Sequence, residues 1–154
     1  MSRSPETERI MTESSDQELQ SPGAAAIVAD VMRPALTTVE QDAHVAAAAY
    51  LMKRAGATAL VVLDDQQGQR PIGIITETDI VDAVADGKDV NDVRIRDLMT
   101  SNLIFCTAAT SIRDAAKSMM TGKFRHLPVL DDTELVGMVD IGDVSRALLG
   151  RPTD

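Results

Sequence analysis

Residues 59–65 read ALVVLDD and residues 127–132 read LPVLDD, so one short β-branched run ending in two aspartates occurs twice in a chain of 154 residues. Runs this short, rich in Val and Leu and closed by turn-forming aspartates, read as buried strands. A displacement of 67 positions superposes more than these runs: Asp30 and Met32 fall on Asp97 and Met99, and Ala48, Ala49 and Met52 fall on Ala115, Ala116 and Met119. The chain is an internal duplication. The first copy spends three more residues in its loop (DDQQGQR against DDTE), after which Gly73 meets Gly137 and Asp79 meets Asp143. Insertions of that kind are tolerated where a loop crosses the surface.

Both copies read alike. A short strand (Leu36 to Val39; Ile104 to Thr107) leads into a helix whose apolar residues Val45, Ala48, Ala49, Met52 and Ile112, Ala115, Ala116, Met119 recur at i, i+3, i+4, i+7, the spacing of one buried helix face. Two β-branched runs follow, ALVVL and PIGIIT in the first copy, LPVL and LVGMV in the second, separated by turn residues as in a hairpin. A second helix closes each copy, Glu77 to Ala85 and Ile141 to Leu149, with Gly87 and Gly150 just beyond as stops. The expected fold class is α+β, built from two β-α-β-β-α repeats. About 60 residues rarely sustain a core alone, so the copies are expected to pack as a pseudo-twofold pair. The expected domains are repeat 1 over 24–88, repeat 2 over 89–150 and a C-terminal tail over 151–154. Residues 1–23 carry Glu6, Glu8, Glu13, Asp16 and Glu18 with few apolar residues, so they read as a disordered acidic tail. A short helix over Thr12 to Leu19 is the other reading.

The formal net charge of −9, from 24 acidic and 15 basic residues, argues against gripping nucleic acid or an anionic membrane. The longest apolar runs, AAAIVA at 24–29 and VAAAAYLM at 45–52, are far short of the roughly 18 residues a span needs. No apolar segment follows MSRSPETERIM as a signal-peptide core would, and the single cysteine, Cys106, cannot form an internal disulfide. These features make the cytoplasm the expected compartment. Aromatics are only 2% of the chain, with no Trp, so Ala, Val, Ile, Leu and Met must build the core and stacking on a base is scarce.

The ordered series DVMRP and DLMTS, DAHVAAAAYLM and ATSIRDAAKSMM, ALVVLDD and LPVLDD, GIITETDIV and GMVDIGDVS resembles the cystathionine-beta-synthase (CBS) motif family. The resemblance covers about residues 28 to 149. It implies a tandem pair, or Bateman module, with clefts between the repeats for adenosine-containing ligands such as AMP, ADP, ATP, S-adenosylmethionine or NAD. It also implies a homodimer, often a flat disc, and a separate protein partner whose activity the ligand changes.

The most informative segment is Gly73-Ile-Ile-Thr-Glu-Thr-Asp79. Gly73 offers no side chain to obstruct a ligand, and Thr76 stands where the last helix begins. A helix start offers unpaired N–H groups and a positive dipole end to a phosphate, and a carboxylate such as Asp79 can accept both hydroxyls of a ribose. By resemblance these are the family's phosphate and ribose positions. The same Thr-x-x-Asp spacing also reads as a capping-box variant, and the two roles are compatible. The second copy keeps Asp143 but replaces the threonine by Asp140. A carboxylate about 4 Å from a phosphate costs roughly 4 kcal/mol per charge pair at an effective dielectric near 20. That cleft is therefore expected to be empty, to hold a ligand lacking phosphate there, or to need Mg²⁺.

Lys123, Arg125 and His126 stand where copy one has Gly56, Thr58 and Ala59. By resemblance such basic residues reach phosphates; as ordinary residues Lys123 and Arg125 are solvated charges, and His126 is a candidate pH-sensitive contact. Thr38 and Val39, and Phe105 and Cys106 in the second copy, offer walls for an adenine or are simply core. The ligand-binding candidates are thus Asp79, Thr76, Gly73, Thr38, Val39, Thr58, Arg125, His126 and Asp143. Catalysis would need Cys106 as nucleophile with His126 as base, and no further residue completes such an arrangement. Two scattered His and one Cys show no metal-ligand spacing. By its resemblance to the CBS family the chain reads as a nucleotide-sensing regulator and not as an enzyme, with a ligand-free dimerising scaffold as the alternative.

Overall fold

The computed structural model describes residues 26–34, 37–64, 66 and 70–150; the expectations for 1–23, for Leu36 and for 151–154 lie outside them. The described elements are α1 (Val28–Val31), β1 (Thr38–Glu40), α2 (Val45–Ala55), β2 (Ala59–Asp64), β3 (Arg70–Thr76), α3 (Glu77–Ala85), a 3-10 turn (Ile95–Asp97), α4 (Ile112–Gly122), β4 (His126–Asp131), β5 (Glu134–Asp140) and α5 (Ile141–Leu148). The fold is α+β, with helix, hairpin and helix following one another twice.

In the first copy β1 runs parallel to β2, with Thr38 opposite Val61 and Val39 opposite Val62. β2 is antiparallel to β3, with Ala59 opposite Thr76 and Val62 opposite Gly73, and the register slips by a bulge between Val62 and Leu63. Residues 59–62 of β2 are all buried, as a central strand covered on both faces requires. α2 turns Val45, Ala48 and Met52 inward, and these pack with Val39, Leu60, Val62, Ile75 and Ile95 in one cluster. The helix ends at Gly56 in the left-handed conformation (φ 65°), the usual glycine stop.

In the second copy β4 and β5 form a two-stranded sheet, and α4 buries Ile112, Ala115, Ala116 and Met119. Its C-cap is Lys123, left-handed at φ 60°, at the position of Gly56. A non-glycine residue pays about 1–2 kcal/mol for that conformation. The strand expected over Ile104 to Thr107 does not form: among these residues only Cys106 holds a single bridge, and Ile104 and Phe105 are exposed. The rung that β1 makes to Val61 falls, 67 positions on, at Pro128. Proline has no N–H to give to a neighbouring strand, so this ladder lacks a donor in the second copy.

The described residues group into two compact units, 34–105 with 128–138, and 26–33 with 106–127 and 139–150. The sequence copies and the compact units divide the chain differently: the opening segments are exchanged, and residues 128–138 of the second copy group with the first. In the first unit, residues preceding and entering the 3-10 turn dock on the start of α2: Ile95 N–H donates to Ala43 O (2.9 Å), Arg96 N–H to Gln41 O (2.9 Å), and Val45 N–H to Val93 O (2.9 Å). In the second, Val28 N–H donates to Thr110 O (2.8 Å), Ala29 N–H to Ala108 O (2.9 Å) and Ile112 N–H to Ala26 O (3.3 Å). The two sets superpose under the same 67-residue displacement, as do the single bridges His44–Arg94 and Ile27–Ser111. Val28 and Ile95, fully buried, anchor these segments.

Candidate functional site

Thr76 ends β3 and caps α3, the extended strand giving the cap its β conformation. The capping box is closed in both directions: Asp79 N–H donates to Thr76 Oγ1 (3.3 Å), and Thr76 N–H donates to Asp79 Oδ2 (2.8 Å). The Thr76 hydroxyl donates to that same oxygen (3.1 Å). Glu77 N–H is taken by the carbonyl of Thr58 (3.0 Å). Of the amides at this helix start, Thr78 N–H remains without a hydrogen bond among the described residues. Asp79 is half-buried, with Oδ2 saturated by Thr76 and Oδ1 carrying no hydrogen bond among the described residues. The structure thus brings Thr58, Thr76 and Asp79 together.

The second copy repeats the backbone and changes the chemistry. Ile141 N–H donates to Arg125 O (2.9 Å), as Glu77 does to Thr58. Asp140 caps α5, accepting from Asp143 N–H (2.8 Å), while Asp140 N–H donates to Asp143 Oδ2 (3.2 Å). Asp143 is only 5% exposed, and its Oδ1 accepts from Arg33 Nη2 at 3.1 Å and Arg146 Nη2 at 2.6 Å. Both oxygens of this carboxylate are therefore engaged. Burial works against the charge on Asp140, but hydrogen bonds with Asp143 and the positive charges of Arg33 and His126 outweigh it, holding the carboxyl below its ordinary value. The hydrogen bond to Asp143 pushes the Arg33 guanidinium, already basic, further up.

Gly73 has a packing reason besides any ligand: a Cβ there would stand 2.6 Å from the carbonyl oxygen of Thr100 and 3.1 Å from Met99 Sδ. Val39 is buried in the core cluster and Thr38 is half-buried on the same strand. Arg125 is exposed and His126 half-buried at the start of β4, in the unit that holds Asp140 and Asp143. Burial pushes the Cys106 thiol up to about 11, which leaves almost no thiolate at neutral pH and disarms it as a nucleophile. Among the described residues no group of three or more His, Cys, Asp or Glu gathers as metal ligands do, and no helix is long and apolar enough to cross a membrane. Sequence reasoning missed Arg33 and Arg146. The i, i+3 spacing of Asp143 and Arg146 was a usable signal; nothing local marked Arg33, 110 residues from its partner.

The CBS domain model matches residues 28–86 and again 95–150. A 17.7 kDa protein of Acidianus ambivalens is 37% identical over 123 residues, covering 79% of this chain and 73% of that protein. The mitochondrial CBS domain-containing protein CBSX3 of Arabidopsis thaliana is 37% identical over 94 residues, which cover 59% of this chain and 46% of that protein. The chain thus spans less than half the length of the plant relative. Among solved structures, the CBS domain pair of protein MJ0100, in complex with 5′-methylthioadenosine and S-adenosyl-L-methionine, is similar with a TM-score of 0.71 at 26% identity, covering 81% of this chain and 97% of that one. With a model that matches both halves and folds of the same kind around it, the chain belongs to the CBS domain family.

Proposed function

We propose that this protein is a regulatory CBS pair that binds an adenosine-containing ligand through its first copy and passes the signal to a separate protein partner, catalysing nothing itself. The observation that carries the proposal is the state of Asp79. Its Oδ2 is fixed by Thr76, which sets the carboxylate's orientation, while its Oδ1 keeps both lone pairs for donors such as ribose hydroxyls. Thr76 and the open N–H of Thr78 at the positive end of α3 supply the environment for a phosphate. Thr38, Val39, Thr58 and Gly73 line the same copy, and Arg125 and His126 are the cationic candidates of the second. The methylthioadenosine and S-adenosylmethionine of the MJ0100 complex support a nucleoside as the shared element, with AMP, ADP, ATP and NAD as further candidates. The working state is a cytoplasmic homodimer.

A thermal-shift panel of AMP, ADP, ATP, NAD, S-adenosylmethionine and 5′-methylthioadenosine tests the reading. A ligand at 100 times its dissociation constant stabilises by about 2.7 kcal/mol, and Asp79→Ala should erase that gain. If no member raises the melting temperature, the alternative stands: a dimerising scaffold with vestigial clefts, which the fully engaged carboxylate of Asp143 favours.

A further inference from the structure

We infer that Arg33 and Arg146 form a clamp that closes the second copy to nucleosides, so that these two arginines set how many ligands one chain takes; the inference rests on the nucleoside reading of Asp79. The carboxylates Asp79 and Asp143 occupy the same place at the start of the last helix of each copy, with the same capping box. They differ in what reaches the oxygen turned away from the cap. Asp79 Oδ1 makes no hydrogen bond or ion pair among the described residues, whereas Asp143 Oδ1 is held by two guanidinium groups at 3.1 and 2.6 Å and the residue is 5% exposed. Neutral hydroxyls of a ribose would have to displace two charge-assisted hydrogen bonds, each roughly twice as strong as a neutral one.

The duplication shows which substitutions built the clamp. Position 33 corresponds to Thr100, and position 146 to Asp82, so the compact unit holding Asp79 has a hydroxyl and a like charge where the unit holding Asp143 has its two cations. Arg33 belongs to the exchanged opening segment, which backbone hydrogen bonds to Thr110 and Ala108 tie down. Arg146 stands one turn beyond Asp143 on α5. Both arginine side chains remain more than half exposed, at 61% and 56%, while the aspartate between them is covered.

The test is isothermal titration with 5′-methylthioadenosine, whose lack of a phosphate removes the repulsion expected from Asp140. Wild type should take one ligand per chain. Transplanting the residues of the unit that holds Asp79, Arg33→Thr with Arg146→Asp, should raise this to two, and adding Asp143→Ala should return it to one. The reciprocal transplant, Thr100→Arg with Asp82→Arg at two exposed positions, should weaken the first site at least tenfold. This second variant keeps the test decisive if the first fails to fold. Two ligands on wild type, one on Arg33→Thr/Arg146→Asp, or unchanged affinity in Thr100→Arg/Asp82→Arg overturns the clamp. Binding only after the clamp is removed supports the clamp while refuting the first-copy site, and no binding by any variant overturns both.

Discussion

Replacing Gly73 by alanine separates a backbone-packing role from a ligand role at a position where the sequence supports either. The new Cβ would stand 2.6 Å from Thr100 O and 3.1 Å from Met99 Sδ, and the first contact is with backbone, which cannot rotate away. Thr100 is tied to Ile74 by two hydrogen bonds, Ile74 N–H to Thr100 O (3.0 Å) and Thr100 N–H to Ile74 O (2.9 Å). Relief therefore requires moving residues 99–100 outward and stretching that pair. Overpacking of this kind costs about 1–3 kcal/mol, and weakening one backbone hydrogen bond adds about 1 kcal/mol. The apo protein should thus lose about 2–4 kcal/mol in urea unfolding followed by circular dichroism, with an unchanged m-value. A loss below about 0.5 kcal/mol in the absence of ligand, joined to a fall in ligand affinity, would refute the packing account and return Gly73 to the ligand.

Ile95→Ala should destabilise the protein by about 2–5 kcal/mol in urea unfolding, because this residue of the second sequence copy is fully buried in the core of the first; a cost near zero would contradict the exchange. Lys123→Gly should stabilise by about 1 kcal/mol, measured the same way, by relieving a left-handed lysine; a destabilisation would show that Lys123 makes a compensating contact. Asp140 has a folded value below the ordinary aspartate pKa of about 3.9, so folding favours its charged form. Its contribution is complete above that ordinary value and disappears as pH falls through the lower folded one. Unfolding midpoints between pH 7 and pH 2.5 should therefore drop more steeply for wild type than for Asp140→Asn, which keeps a competent cap; parallel curves would remove Asp140 from acid stability.

What was legible in the sequence was local or repeated. The apolar faces of α2 and α4, the hairpins, the helix starts at Thr76 and Asp140 and the glycine stops follow from spacings of a few residues, and the structure has them at those positions. The missing strand at 104–107 was obscured because its own residues are good strand formers; the fault lies in Pro128, on the strand it would have paired with. The exchange of opening segments was invisible for a related reason. Val28 and Ile95 look like apolar residues that open their own copies, and backbone hydrogen bonds to residues 108–112 and 41–45 show which copy each serves.

The two halves also show where side-chain chemistry diverges while a fold is retained. The backbone bonds that seat the two helix starts are duplicated, Glu77 to Thr58 and Ile141 to Arg125, and so is the reciprocal cap between the N-cap residue and the aspartate three positions on. The first relation does not depend on which side chain stands at position 58 or 125, because the acceptor is the carbonyl, and the second needs only a side-chain oxygen at the N-cap and an aspartate three positions on. Side chains there were free to change, and four pairs did: Thr58 and Arg125, Thr76 and Asp140, Thr100 and Arg33, Asp82 and Arg146. Three of these pairs set a charged residue against a hydroxyl, and the fourth sets an arginine against an acid. A carboxylate shared by both copies is consequently an open acceptor in one and the centre of an ion cluster in the other. This asymmetry is what the proposal of a single ligand per chain rests on.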